Sequence, residues 1–211
     1  MDDQYPIYIV DDDAQIRTSL GVLLDVNRLP CRGFQSGDAF LAALAELEPG
    51  CILLDIRMPG SDGLAVLSEL HERQYRWPVI VMTGHAEVAM AVTAMKLGAI
   101  EFLEKPFRET DLLDALSRAA TALREVQEDE ASRGEALTLV RSLTPRELQM
   151  LQALLNGSSN KQIADELGIS IRTVEMHRAS VMRKLDAKSL ADAVLLAATA
   201  GMRRVAVDGR S

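Results

Sequence analysis

Cys51-Ile-Leu-Leu-Asp-Ile-Arg-Met-Pro-Gly-Ser-Asp-Gly63 carries the clearest signal of how this chain folds. Four apolar residues run into one carboxylate, Asp55, and the chain breaks at Pro59-Gly60 before a helix led by Gly63. A short unbroken apolar run closed by a turn signal fits a strand buried on both faces. Asp55 then stands at the carboxyl-terminal edge of a strand, where open parallel sheets bind ligands. One Asp at such an edge proves little. What else reaches that edge decides its meaning.

Four more strand-then-helix units flank this one. Tyr5–Val10 is an apolar strand ending in Asp11-Asp12-Asp13, and Ile16, Leu20, Leu23 and Leu24 mark one face of the next helix. Cys31–Phe34 is a second strand, followed by Ser36 as N-cap of a helix over Gly37–Glu46. After the Asp55 strand comes a helix over Gly63–Arg73, then a strand over Pro78–Met82 that stops at Thr83-Gly84. Val88, Ala91, Val92 and Met95 mark a helix closed by Gly98, and Ile100–Leu103 is a fifth strand ending at Glu104-Lys105-Pro106. A helix carrying Leu112, Leu116, Ala119 and Leu123 completes the half. The alternation predicts a doubly wound, five-stranded parallel sheet of flavodoxin-like type over residues 1–124.

Residues 125–143 are polar and charged and read as a linker, either an exposed extension of the preceding helix or a flexible piece. Strands vanish beyond it. Thr144-Pro-Arg-Glu147 is a capping box with Pro at the first helical position, and Leu148, Leu151 and Leu155 carry the apolar face that follows. Asn160–Leu167 is a short helix stopped by Gly168; Ser170 caps a helix over Ile171–Asp186, and Ser189 begins one that ends near Gly201. Helix, tight Gly turn, helix is the helix-turn-helix pattern, so residues 144–211 form an all-α four-helix domain.

Composition sets the class. At 48% hydrophobic the chain has apolar surface for two cores, and no apolar run approaches the roughly 20 residues of a membrane span. The start, Met1-Asp2-Asp3-Gln4, is acidic, unlike a signal peptide. Cys31 and Cys51 sit beside apolar stretches without metal-ligand spacing and read as buried thiols of a reducing cytoplasm. Residues 1–124 carry 19 acids and 11 bases, whereas residues 144–211 carry 7 acids and 10 bases. An acidic front and a basic back point to different partners for the two ends.

Three strand ends deliver Asp11 and Asp12, Asp55, and Thr83, and a fourth delivers Lys105. In a parallel sheet all of these converge on one edge. Clustered carboxylates need a cation, and an all-oxygen site with open water positions suits Mg²⁺ better than zinc. A carboxylate nucleophile, a metal, a lysine and a hydroxyl are the parts needed to place a phosphoryl group on Asp55. The plainer reading makes one of the acids a helix cap and Lys105 a solvated charge.

Ile9–Asp13, Leu54-Asp-Ile-Arg-Met-Pro59, Val81-Met-Thr-Gly-His85 and Phe102-Leu-Glu-Lys-Pro106 resemble the receiver domain of bacterial two-component response regulators over residues 5–124. The resemblance implies that Asp55 accepts a phosphoryl group from a sensor histidine kinase. It implies that Asp11, Asp12, Asp55 and the Arg57 backbone carbonyl hold Mg²⁺ and that Thr83 and Lys105 bind the phosphate. It makes Lys105–Pro106 a cis peptide, and Thr83 and Phe102 the switch pair. Asp13 has two roles open to it, capping the first helix or joining the metal shell.

The helix from Ile171 places Ile171, Val174, Val181 and Leu185 on one face and Arg172, Glu175, Met176, Ala179 and Arg183 on the other. That second face suits a major groove, or it is an ordinary surface. Leu143-Thr-Pro-Arg-Glu147, Asn160-Lys-Gln-Ile-Ala164 and Thr173-Val-Glu-Met-His-Arg178 resemble the LuxR-type DNA-binding domain, and the whole chain resembles a NarL/FixJ-family regulator, closest to the FixJ type. The resemblance makes Glu175, Met176 and Ala179 face base edges of double-stranded promoter DNA. Lys161, Arg172, Thr173, Arg178 and Arg183 stand with them on the DNA side, the phosphate contacts among these giving position without sequence. Several relatives place a lysine where Glu175 stands. His177 either donates to a phosphate or packs on the neighbouring helix. Leu190, Val194, Leu195 and Ala198 leave the last helix apolar outside, which a dimer contact explains, or plain core.

The implied function is a cytoplasmic, phosphorylation-controlled transcription factor. Its receivers dimerise through Val92, Lys96 and Glu101, and it works with RNA polymerase as an activator. Three rival readings stand beside it. An Asp-nucleophile phosphatase usually wants an acid two residues after the nucleophile, where Arg57 stands. A constitutive DNA-binding protein would ignore Asp55→Asn. A lactone sensor of the same DNA-binding superfamily would lack the phosphorylation residues.

Overall fold

The computed structural model describes residues 5–84 and 88–204. Met1–Gln4, His85 and the side chains of Val88 and Ala91, used in the sequence reading, lie outside the described residues. The chain forms two compact units, Met1–Gln127 and Glu128–Ser211.

In the first unit the order is β1 (Ile7–Val10), α1 (Ala14–Val26), β2 (Cys31–Phe34), α2 (Gly37–Ala43, continued by a 3-10 turn at Leu44–Glu46), β3 (Cys51–Asp55), α3 (Gly63–Glu72), β4 (Val79–Thr83), α4 (Val88–Lys96), β5 (Glu101–Glu104) and the start of α5 (Glu109–Arg141). The strands are parallel and lie in the order β2-β1-β3-β4-β5. This is the expected doubly wound sheet, and its order reverses between β1 and β3. Every residue of β3 is buried. Ile52 and Leu54 pack with Phe40, Val66 and Leu70 on one face. Cys51 and Leu53 pack with Leu20, Leu24, Leu112 and Leu116 on the other. A strand covered on both faces cannot alternate polar and apolar residues, which is why its sequence is an unbroken apolar run. Each such side chain contributes roughly 1.5–3 kcal/mol by leaving water.

Strand bounds shift by one or two residues, and burial refines the sequence reading. Strand β1 starts at Ile7 rather than Tyr5. Cys31 is exposed, because β2 is the edge strand and only its last residue, Phe34, is buried; Cys51 is buried as expected. Of the two readings open for residues 125–143, the helical extension is the one present, as far as Arg141, but it is not exposed throughout, since Ala136 is buried.

The second unit contains α6 (Pro145–Asn156), α7 (Asn160–Leu167), α8 (Ile171–Lys184) and α9 (Leu190–Thr199). Capping boxes start α6, α7 and α9, and Gly168 closes α7 in the left-handed conformation (φ 64) that the turn into α8 requires. Met150, Leu151, Leu154, Ile163, Val174, Val181, Leu185, Ala193 and Ala197 form the core, with Leu139, Val140 and Leu143 against or within it. The buried stripe of α6 runs through positions 147, 150, 151, 154 and 155. Leu148 falls at the rim of that stripe, about 90° from its centre, and is exposed, whereas the sequence reading places it inside. Ile171, the first residue of α8, is likewise exposed, and Val194 of α9 packs against the core instead of facing out.

Candidate functional site

Strand register builds the site. Val10 pairs with Leu54, so Asp11 is the next residue along β1 beside Asp55, the last of β3. Asp55 pairs with Met82, which sets Thr83 one step beyond; Thr83 pairs with Glu104, and Lys105 follows. Residues separated by up to 94 positions thus arrive at one sheet edge as a staircase.

Asp11 and Asp55 are buried, and Lys105 Nζ reaches both, at 2.8 Å from Asp11 Oδ2 and 2.5 Å from Asp55 Oδ1. The carboxylates of Asp11, Asp12 and Asp55 each offer an oxygen within 4.8 Å of the others. Asp11 Oδ1 accepts from the Asp13 backbone N–H at 2.9 Å, and Arg17 Nη1 donates to the Asp11 carbonyl at 2.7 Å. Asp13 itself caps α1, accepting from the Gln15 backbone N–H at 2.7 Å. Thr83 is buried at its strand end, and the Lys105–Pro106 bond is cis.

Burial pushes the Asp55 carboxyl above its ordinary range and the charge of Asp11 adds to this, against the opposing pull of Lys105 and the Arg57 backbone N–H. Burial works against the Lys105 ammonium, but its hydrogen bonds to Asp11 and Asp55 and their charges outweigh that and raise it. Three carboxylates therefore face one ammonium. Their donor set is all oxygen, and the surplus negative charge fits a hard divalent cation.

Glu101 and Phe102 lie on β5, and Val92 and Lys96 on α4, which contacts it. Phe102 is 46% exposed, so its ring points outward in this state. Val92 and Lys96 are exposed on α4. Glu101 is engaged within the chain, accepting from Arg118 Nη2 at 2.7 Å and from the Phe102 backbone N–H at 3.3 Å.

In the second unit, α8 buries Val174, Val181 and Leu185 and leaves Arg172, Glu175, Met176, Ala179 and Arg183 exposed. Thr173, His177 and Arg178 are half-buried at the edges of that face, and Lys161 is exposed on α7. Arg178 Nη1 lies 3.4 Å from Asn160 Oδ1 of α7, a long contact between the two helices.

Glu147 is the residue that sequence reasoning undervalued. It closes the expected capping box, accepting from the Thr144 backbone N–H (2.8 Å) and hydroxyl (2.9 Å). It also accepts from Ser180 Oγ at 2.8 Å and Lys184 Nζ at 2.7 Å, tying the start of α6 to the end of α8. The Lys184 ammonium, with the Thr144 N–H and the Ser180 hydroxyl, holds its carboxyl far below the usual range, at about 2. The capping pattern located Glu147; nothing local links it to a lysine 37 residues on.

Comparison with known proteins gives two family matches. Residues 7–117 match the response regulator receiver domain, and residues 141–197 match the bacterial regulatory proteins of the luxR family. The chain is 45% identical over 196 residues to the transcriptional regulatory protein FixJ of Bradyrhizobium diazoefficiens, covering 93% of this chain and 96% of that one. It is 45% identical over 202 residues to FixJ of Azorhizobium caulinodans, covering 96% of each. Among solved structures, the response regulator StyR matches at 39% identity and a TM-score of 0.76, over 92% of this chain and 98% of that one. Full-length FixJ from B. japonicum matches at 44% identity and a TM-score of 0.59, over 94% and 98%.

Proposed function

Because the chain belongs to the response regulators that join a receiver to a LuxR-type DNA-binding domain, we propose that Asp55 accepts a phosphoryl group from a cognate sensor histidine kinase and so controls promoter binding. The protein is a DNA-binding two-component regulator, FixJ-like, and not a conventional enzyme. The observation that supports Asp55 is its position: a buried strand-end carboxylate beside two further acids and held by Lys105.

In the proposed transfer an Asp55 oxygen attacks phosphorus, the N–P bond of the kinase phosphohistidine breaks, and the imidazole leaves with the bond electrons. Asp11, Asp12, Asp55 and the Arg57 carbonyl would hold a Mg²⁺ ion, which would supply positive charge for the phosphoryl oxygens. Lys105 shifts from its two carboxylates to a phosphoryl oxygen, and the Thr83 hydroxyl donates to another. That movement of Thr83 opens the space into which Phe102 turns. The changed α4–β5 face then pairs two receivers through Val92, Lys96 and Glu101.

Two joined DNA-binding units fit a two-fold operator, with α8 in the major groove. Glu175, Met176 and Ala179 face bases; Lys161, Thr173, Arg178 and Arg183 lie against the phosphate backbone, with Arg172 on the same DNA-facing side and His177 either donating to a phosphate or packing on the neighbouring helix. The functional division is a receiver at 1–124, a connecting piece at 125–143 and a DNA-binding domain at 144–211. RNA polymerase is the further partner, activation the expected outcome, and the cytoplasm the place of action. Among the described residues no helix is long and apolar enough to cross a membrane.

The test is phosphorylation by a small phosphoryl donor such as phosphoramidate with Mg²⁺, read by intact mass. Wild type gains one phosphoryl group, which is lost on hydroxylamine treatment as an acyl phosphate is; Asp55→Asn gains none. Equal labelling of both proteins would contradict the assignment.

A further inference from the structure

The loop between β3 and α3 carries Arg57, whose carbonyl is the one proposed metal ligand that no side chain supplies. Its two ends are fixed by backbone bonds, Ile56 N–H to the Met82 carbonyl at 3.1 Å and Gly63 N–H to the Ile56 carbonyl at 2.9 Å. Its middle is held by another element. Ser61 Oγ donates to Asp38 Oδ1 at 2.5 Å, from the loop to the first turn of α2. The second Asp38 oxygen lies over Gly60, whose φ of 83 admits no side chain comfortably; a Cβ there would come within 3.0 Å of Asp38 Oδ2. The N-terminus of α2 is pressed against the loop as well, since a Cβ on Gly37 would meet Val66 Cγ2 at 2.5 Å and the Ser61 carbonyl at 2.8 Å.

We propose that Asp38 is a positioning residue for the phosphoacceptor pocket: through Ser61 and over Gly60 it fixes the 56–63 loop, and so places the Arg57 carbonyl for the metal. The proposal rests on the metal site given under Proposed function. Asp38 touches neither the metal nor the phosphoryl group. Its effect is to make the loop rigid before the cation arrives, so that binding loses less conformational entropy. The alternative is that Asp38 merely favours the start of α2 by its charge. In that case removing it weakens the helix and leaves the loop unchanged.

Two measurements on the full-length protein separate these. Amide hydrogen exchange, run in EDTA, reads the loop without metal. The Mg²⁺ dependence of receiver melting then gives the metal affinity. Asp38→Ala should speed exchange across residues 56–63 while the amides of the five strands keep their protection, and it should weaken Mg²⁺ binding by roughly three- to tenfold. Ser61→Ala should do the same, and the double variant should be no worse than either single one. Asp38→Asn, which keeps an acceptor oxygen for Ser61, should restore most of the loss. Wild-type exchange at 56–63 in Asp38→Ala, faster exchange confined to α2, or additive effects of the two substitutions would each overturn the proposal. If Asp55→Asn leaves the Mg²⁺ response intact, the metal reading itself fails, and the metal-free exchange data still decide the role of Asp38.

Discussion

Lys105 is the charge that lets Asp11 and Asp55 stay buried side by side. Removing one partner of a buried ionic set leaves the others uncompensated, which costs more than the set contributes intact. Lys105→Ala should therefore lower receiver stability in EDTA by roughly 2–3 kcal/mol, less than for a wholly buried group because the lysine side chain is 21% exposed. Urea unfolding read by the Trp77 signal checks this, and Asp55→Asn in the same background should recover part of the loss. Glu147 titrates in the other unit. Its folded value of about 2 lies below the ordinary 4.5, so its contribution is complete above about pH 4.5 and disappears as pH falls towards 2. Helical signal followed by acid titration of the second unit should show that loss, and Glu147→Gln should flatten it. At pH 7 Glu147→Ala should cost roughly 2–3 kcal/mol, since it leaves Lys184, Ser180 and the helix start without their acceptor. Both residues were named from local patterns, Lys105 as a strand-end cation and Glu147 as a capping-box acid. Their partners were legible only where parallel topology forces convergence, and that holds for Lys105 alone.

Elements were legible wherever burial imposes a period. The apolar runs of β3 and β4 and the caps Thr144, Gly168, Ser170 and Ser189 are local properties, and the structure has them where the sequence puts them, with β4 starting one residue later at Val79. Exposure was harder to read, because it depends on which neighbour covers a given face. Cys31 looks apolar in context but lies on the edge strand, so a native-state thiol reagent should modify Cys31 and spare Cys51. For α8 the buried stripe leaves a mixed face, with Arg172 and Arg183 beside Glu175 and Met176. Arg183→Ala should weaken binding about equally across DNA sequences and reduce the slope of log affinity against log salt by about 1. Glu175→Lys should steepen that slope and reduce discrimination between operator and random DNA, since it replaces a base-edge acceptor by a phosphate-seeking charge. Fluorescence anisotropy at several salt concentrations reads both. The Asp38–Ser61 contact belongs with the features no period reveals, for it joins two elements across a loop of otherwise ordinary turn residues.

In the molecule as a whole, an acidic receiver is joined to a basic DNA-binding domain, and in the proposed function phosphorylation of the first controls the second. Moving a two-state receiver from about 1:99 to 99:1 needs roughly 5.5 kcal/mol of differential stabilisation. A phosphoryl group adding about −1.5 to −2 charges beside Lys105 and Thr83 can supply much of that through charge-assisted contacts. In this state Lys105 is bound to Asp11 and Asp55 and Phe102 faces outward, the arrangement expected before phosphorylation. The most direct test is sedimentation velocity of the full-length protein with Mg²⁺, with and without beryllofluoride as a phosphoryl mimic, alongside Asp55→Asn. The wild type should shift from monomer to dimer with the mimic, and no other sample should. A mass that never changes, or a dimer in every sample, would contradict it and place control outside receiver pairing.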